Sequence, residues 1–186
     1  MDHVFELMIA AQKERQIQQV LECNQKTERF GLSLSQQEAG ELMAARQETL
    51  KEKGRVEFGG GILPELIDTF CDSLYISQDN YAETLGELQD MFYEAKNESE
   101  DEMTDQEILD FMKQQFEEVC AGDLDYLRNT CLERLTRAVR SGWRGRAWKQ
   151  ERDEYSLRKQ DNEYGMFSEE EGWDYVLYGK CFTDDE

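Results

Sequence analysis

"LSLSQQEAGELMAARQETLKEKG", residues 32–54, decides the fold. Ser35 followed three positions later by Glu38 is a capping-box pattern, in which a hydroxyl and a carboxylate each satisfy a backbone N–H left open where a helix starts. Leu34 can staple onto Ala39 across that cap, and Gly54 supplies the positive φ with which helices commonly end. The stretch reads as one well-marked helix with both ends signed.

The same punctuation recurs along the chain. An opening helix is expected from about Val4 to Glu28, with Phe5, Met8, Ile9, Ile17, Val20 and Leu21 on its apolar face. "GRVEFGGGILPELIDTFCDSLYI", residues 54–76, reads as a glycine-rich turn and then a short helix with Pro64 in its first turn. Ser77 is the expected cap of the next helix, whose stripe is Tyr81, Leu85, Leu88 and Phe92. Thr104 with Glu107 repeats the capping box, Gly122 ends the helix that follows, and Asp123 caps one carrying Leu127, Cys131, Leu135, Ala138 and Val139. Beyond Gly142 the pattern weakens; "RAWKQERDEYSLRKQ" is expected to be helical, and Ser168 with Glu171 to open a last short helix bearing Trp173, Val176 and Leu177. Pro64 is the only proline in 186 residues, which favours long helices. The strand-like runs, "RVEF" and "DYVLYGKCF", are short, and no helical-repeat period recurs. The fold class is therefore all-α: a single-domain helical bundle, or stacked helical hairpins, of six to eight helices. Residues 1–142 are expected to form its core. Residues 143–186, aromatic-rich and basic then acidic, are expected to pack on that core or form an arm.

With 39% hydrophobic residues and twenty aromatics the chain can fill a core, although 34% of it is charged. The start, "MDHVFELMIAAQKER", has no basic leader, and no run approaches the roughly 18–20 apolar residues of a membrane span. Cys23, Cys71, Cys120, Cys131 and Cys181 are odd in number and form no CxxC, so they read as reduced, small hydrophobes of a cytosolic protein.

Catalytic and metal patterns are sparse. The one histidine, His3, sits at the terminus, which argues against Ser-His-Asp or Cys-His chemistry. Zinc lacks clustered Cys and His. The acidic turn "NESEDEMTDQEILD" misses the alternating ligands and the sixth-position glycine of an EF-hand. "FGGGILPEL" lacks the Gly-Lys-Ser/Thr ending of a phosphate loop, and Glu57 and Glu65 would repel an anion, so Gly59, Gly60 and Gly61 read as a sharp turn requiring positive φ. Asp68 and Asp72, four apart, are expected to share a face of the Pro64 helix. No catalytic residue, cofactor or metal ligand is assigned.

Charge falls in blocks within a chain of net charge −21. Glu83 to Asp125 holds fifteen acids against Lys96 and Lys113; Arg134 to Lys159 holds nine basic residues against three acids. On a helical wheel Arg137 and Arg140 oppose the apolar face, so they are expected to be exposed. With Trp143, Arg144, Arg146 and Trp148 they make an Arg/Trp surface of the composition found at interface hot spots. The readings, in order, are neutralisation by the protein's own acids, binding of a protein partner, nucleic-acid binding and membrane binding. A net negative field disfavours the last two. The functional expectation is a non-enzymatic interaction or adaptor protein with a protein partner. The alternatives are a small carboxylate- or metal-dependent enzyme, and nucleic-acid binding or DNA mimicry by the acidic surface.

"GRVEFGGGILPELIDTFCDSLYI", "NYAETLGELQDMFYEAKNES" and "CAGDL" resemble a family of small bacterial proteins defined only as a domain of unknown function and met mainly in anaerobic Gram-positive species. The likeness runs from Gly54 to Leu124, with weaker similarity around "NQKTERFGLSLS" and "TCLERLTRAVRSGWRG". It implies a bacterial cytosolic origin and transfers no catalytic residue.

Overall fold

The computed structural model describes residues 2–142, and every regular element in that range is helical. α1 spans Asp2–Glu22 and a short α2 spans Asn24–Thr27, followed by a 3-10 turn at Glu28–Phe30. α3 is Gln36–Glu52, α4 Leu63–Phe70, α5 Tyr81–Glu98, α6 Asp105–Gln114, α7 Leu124–Tyr126 and α8 Glu133–Arg140. A π-helical turn at Gln115–Val119 extends α6, and a second at Leu127–Leu132 joins α7 to α8. The protein is all-α, a helical bundle as its capping signals imply, and "RVEF" is irregular loop. "DYVLYGKCF", the helix expected after Ser168 and the segment from Trp143 onward lie outside the described residues.

The chain clusters into two compact units, Met1–Glu94 and Ala95–Glu186. In the first, α1 packs on α3 and α4. α3 buries Ala39, Leu42, Met43 and Leu50, and α4 buries Leu63, Leu66, Ile67 and Phe70. α5 adds Tyr81, Leu85, Leu88, Met91 and Phe92 to the buried set. Each large apolar side chain taken from water contributes about 1.5–3 kcal/mol, so this core offsets the ordering of its helices. In the second unit Ile108, Leu109, Phe111, Met112 and Phe116 are buried, as are Leu127, Leu132, Leu135, Ala138 and Val139. The Thr136 hydroxyl donates to Glu98 Oε2 at 2.8 Å, tying α8 to the last turn of α5.

The local signals act as expected at most helix ends. Ser35 Oγ accepts from the Glu38 N–H, and the Ser35 N–H donates to Glu38 Oε2 at 2.7 Å; Thr104 and Glu107 repeat both bonds. Asp123 Oδ1 accepts from the Tyr126 N–H at 2.9 Å. Past α3, Gly54 has φ of 65° and the Arg55 N–H reaches back to the Leu50 carbonyl at 2.8 Å, satisfying one of the last open acceptors.

Four expectations are corrected. The opening helix stops at Glu22 rather than Glu28, because the Asn24 side chain pairs with both the N–H and the carbonyl of Leu34 and draws the chain into a turn. Met8 is exposed rather than part of the apolar face; among the described side chains of α1 the buried ones are Gln16, Ile17 and Val20, and those of Phe5 and Ile9 lie outside the described ones. α5 starts at Tyr81, not next to Ser77: the Ser77 N–H donates to Asn80 Oδ1, and the Thr84 N–H bonds to the Asn80 carbonyl. α4 ends at Phe70, so Asp72 falls in the following turn and shares no helical face with Asp68, whose carboxylate pairs with Lys26 at 2.6 Å.

Candidate functional site

In the first unit the glycine-rich loop is held from below by a buried cation. Arg46 sits on the apolar face of α3, in register with Leu42, Met43 and Leu50, and only 1% of it is exposed. Its Nη2 donates to Glu57 Oε2 at 2.9 Å, Nη1 to the Gly59 carbonyl at 3.3 Å, and Nε to Tyr93 Oη at 3.2 Å. Tyr93 in turn donates its hydroxyl to Glu57 Oε2 at 2.6 Å. The guanidinium, carboxylate and phenol thus close a ring spanning α3, the loop and α5. Burial, reinforced by the hydrogen bond to Glu57, pushes the Tyr93 phenol well above its ordinary range. A buried guanidinium is tolerated only with such partners.

This ring explains the glycines more fully than backbone geometry does. Gly59 and Gly61 have φ of 63° and 59°, the left-handed turn expected of them. A Cβ on Gly61 would also lie 2.2 Å from Arg46 Nη2 and 2.4 Å from Glu57 Oε2. The loop is glycine-rich so that backbone can lie against the buried ion pair. Glu57, expected only to repel anions, is the counter-charge of Arg46. Arg46 escaped sequence reading, although a charged residue on the apolar stripe of a clearly capped helix was its visible signal.

Clamped in this way, the loop turns two apolar side chains outward: Val56 is 81% and Phe58 85% exposed. After α4, Leu74 is 94% exposed, with Tyr75 beside it in sequence.

The basic surface lies in the second unit. Arg137 and Arg140 are both exposed on α8, opposite the buried Leu135, Ala138 and Val139. Arg137 is paired with Glu133, one turn back on the same helix. Trp143, Arg144, Arg146 and Trp148 lie outside the described residues, so the proposed surface is seen only at its α8 end.

The acidic turn after α5 is organised around a lysine. Lys96 Nζ donates to the Met103 carbonyl at 2.7 Å and lies 2.6 Å from Asp105 Oδ1 and 3.9 Å from Asp101 Oδ1. Among the described residues, no group of three or more His, Cys, Asp or Glu side chains is placed to hold a metal ion. No helix among them is long and apolar enough to cross a membrane.

These features define an all-α protein whose polar residues cap helices and anchor loops. The chain belongs to a family of unknown function, DUF6323, whose model matches residues 19–145. The match extends beyond the resemblance centred on residues 54–124 and takes in Arg46, Glu57, Tyr93 and the arginines of α8. No curated protein matches the chain, and no solved structure does.

Proposed function

We propose that the protein is a non-enzymatic interaction module that binds a protein partner. The observation that carries this reading is the presentation of Val56 and Phe58 to solvent from a loop whose backbone is anchored by a buried ion pair. Large apolar side chains left in water are an interaction resource, and a loop already held in one conformation loses little entropy when it docks. The Arg/Trp surface supports the same reading. Arg137 and Arg140 supply charge-assisted donors, while Trp143, Arg144, Arg146 and Trp148 add residue types enriched at binding hot spots. A partner docking on the first unit would offer an apolar recess for Phe58, and one docking on the second would offer carboxylates for the arginines. On the family resemblance, the setting of this interaction is the cytoplasm of an anaerobic Gram-positive bacterium.

The test is gentle purification of the tagged chain from its native host, compared with Val56→Ser/Phe58→Ser and Arg137→Glu/Arg140→Glu. All four positions are exposed, so the variants should unfold within about 0.5 kcal/mol per substitution of the parent. The reading requires a stoichiometric protein partner that is lost from one or both double variants. A chain that emerges alone, or a partner retained equally by every variant, overturns it. Nucleic acid co-purifying with a steep dependence on salt would replace it with the nucleic-acid alternative.

A further inference from the structure

Cys120 and Cys131 lie in the second unit with their sulfurs 3.6 Å apart and both side chains buried. They are eleven positions apart, and folding brings them together. Cys120 closes the π turn that extends α6; Ala121 and Gly122, with φ of 49° and 85°, reverse the chain; and Cys131 lies inside the π turn joining α7 to α8. To reach a disulfide separation of about 2.05 Å, each sulfur need move less than about 1 Å. Cys23 and Cys71 are placed differently, their thiols directed at the backbone carbonyls of Gln19 and Asp68.

We propose that Cys120 and Cys131 are a redox modification site, converted to an intramolecular disulfide by a hydroperoxide. The two thiols have unequal roles. Either sulfur can donate across the 3.6 Å contact, but the positive charge of Arg134 favours the arrangement in which the Cys120 S–H donates, so Cys131 ionises below the ordinary thiol range despite its burial. Cys120, holding the shared proton, ionises far above that range. Cys131 is therefore the attacking sulfur. Its thiolate attacks a peroxide oxygen, forming an S–O bond as the O–O bond breaks. The departing oxygen takes up a proton and leaves as water or, from an alkyl hydroperoxide, as an alcohol. The Cys120 sulfur then attacks the sulfenic sulfur of Cys131, forming the S–S bond as the S–O bond breaks. The hydroxide released takes the Cys120 proton and leaves as water. Together the two sulfurs lose two electrons, and the peroxide oxygens gain them.

The bond would link the end of α6 to the helix that runs on to Arg137 and Arg140. It would also shorten the free loop of the unfolded chain, so oxidation is expected to raise the thermal unfolding midpoint.

The experiment uses the reduced full-length chain with equimolar hydrogen peroxide, followed by alkylation, digestion and peptide mass mapping. The expected main product is a Cys120–Cys131 linked peptide, lighter by two hydrogens and restored by dithiothreitol, whereas the same chain in guanidinium gives mixed pairings. A Cys23→Ser/Cys71→Ser/Cys181→Ser variant, which keeps only Cys120 and Cys131, should lose its two remaining thiols together without forming dimers. Accumulation of sulfinic acid at either position, pairing of either with another cysteine, or persistence of both as free thiols in excess peroxide overturns the proposal.

Discussion

Removing the Arg46 guanidinium would leave Glu57 and the Gly59 carbonyl without the group that orders them. Breaking a buried ion pair from one side costs about 3–5 kcal/mol, and Arg46→Ala should lose stability of that order in urea unfolding. Tyr93→Phe, which keeps the ion pair but deletes one hydrogen bond to each partner, should lose about 1–2 kcal/mol. Gly61→Ala tests the close approach itself. Its methyl group would meet the guanidinium while the backbone keeps a left-handed φ, so a loss comparable to Arg46→Ala is expected. If Gly61→Ala were neutral, the loop would not be seated on the ion pair. A second test is at high pH. Burial pushes the Tyr81 phenol from 10.0 up to about 12. The unfolded chain therefore loses this proton first, and the stability that Tyr81 contributes is whole below pH 10 and falls as pH rises toward 12. Tyr81→Phe should shift the alkaline unfolding midpoint, followed by circular dichroism, to higher pH.

At the scale of the elements, three side-chain caps among the described residues, Ser35, Thr104 and Asp123, set where helices begin. Ser35→Ala, Thr104→Ala and Asp123→Ala should each lose about 0.5–2 kcal/mol, measured by chemical denaturation. Ser77→Ala should be neutral within about 0.5 kcal/mol, because α5 starts after Asn80, the short 2.8 Å contact is made through the Ser77 backbone N–H, and the hydroxyl adds only a long, exposed bond to the same Asn80 oxygen at 3.4 Å. The cap at Ser35 also carries a pH signature. Hydrogen bonds from the Ser35 hydroxyl and backbone N–H hold the Glu38 carboxyl below its ordinary value. That stability is present above the ordinary carboxyl value and is lost as pH falls through the lowered one, so Ser35→Ala should flatten the acid limb of the stability profile. Capping boxes were legible in the sequence because they are local: four consecutive residues supply both donors and both acceptors. The start of α5 differs from the expected one because Ser77, a residue type that caps helices, lies just ahead of the apolar stripe, whereas the Asn80 side chain turns back to the Ser77 N–H and the helix begins after Asn80.

For the whole molecule, the charge of −21 is the dominant long-range term. Self-repulsion favours the expanded chain, and salt screens it. Raising sodium chloride from low concentration to 0.15 M should therefore raise the melting temperature by about 2–4 °C per kcal/mol of repulsion removed. A falling melting temperature would mean that ion pairs such as Lys96–Asp105 outweigh the repulsion. Amino-acid order alone determined the all-α class, most helix ends, the exposed side of Arg137 and Arg140, and the positive-φ turn at Gly59 and Gly61. These depend on contacts within a few positions, where pattern and geometry coincide. Only the tertiary structure decided that Arg46 is buried, that Glu57 and Tyr93 are its partners from eleven and forty-seven positions away, and that Cys120 meets Cys131. Such pairings depend on how helices pack, and packing is set by the sum of many apolar contacts, not by any short run of residues.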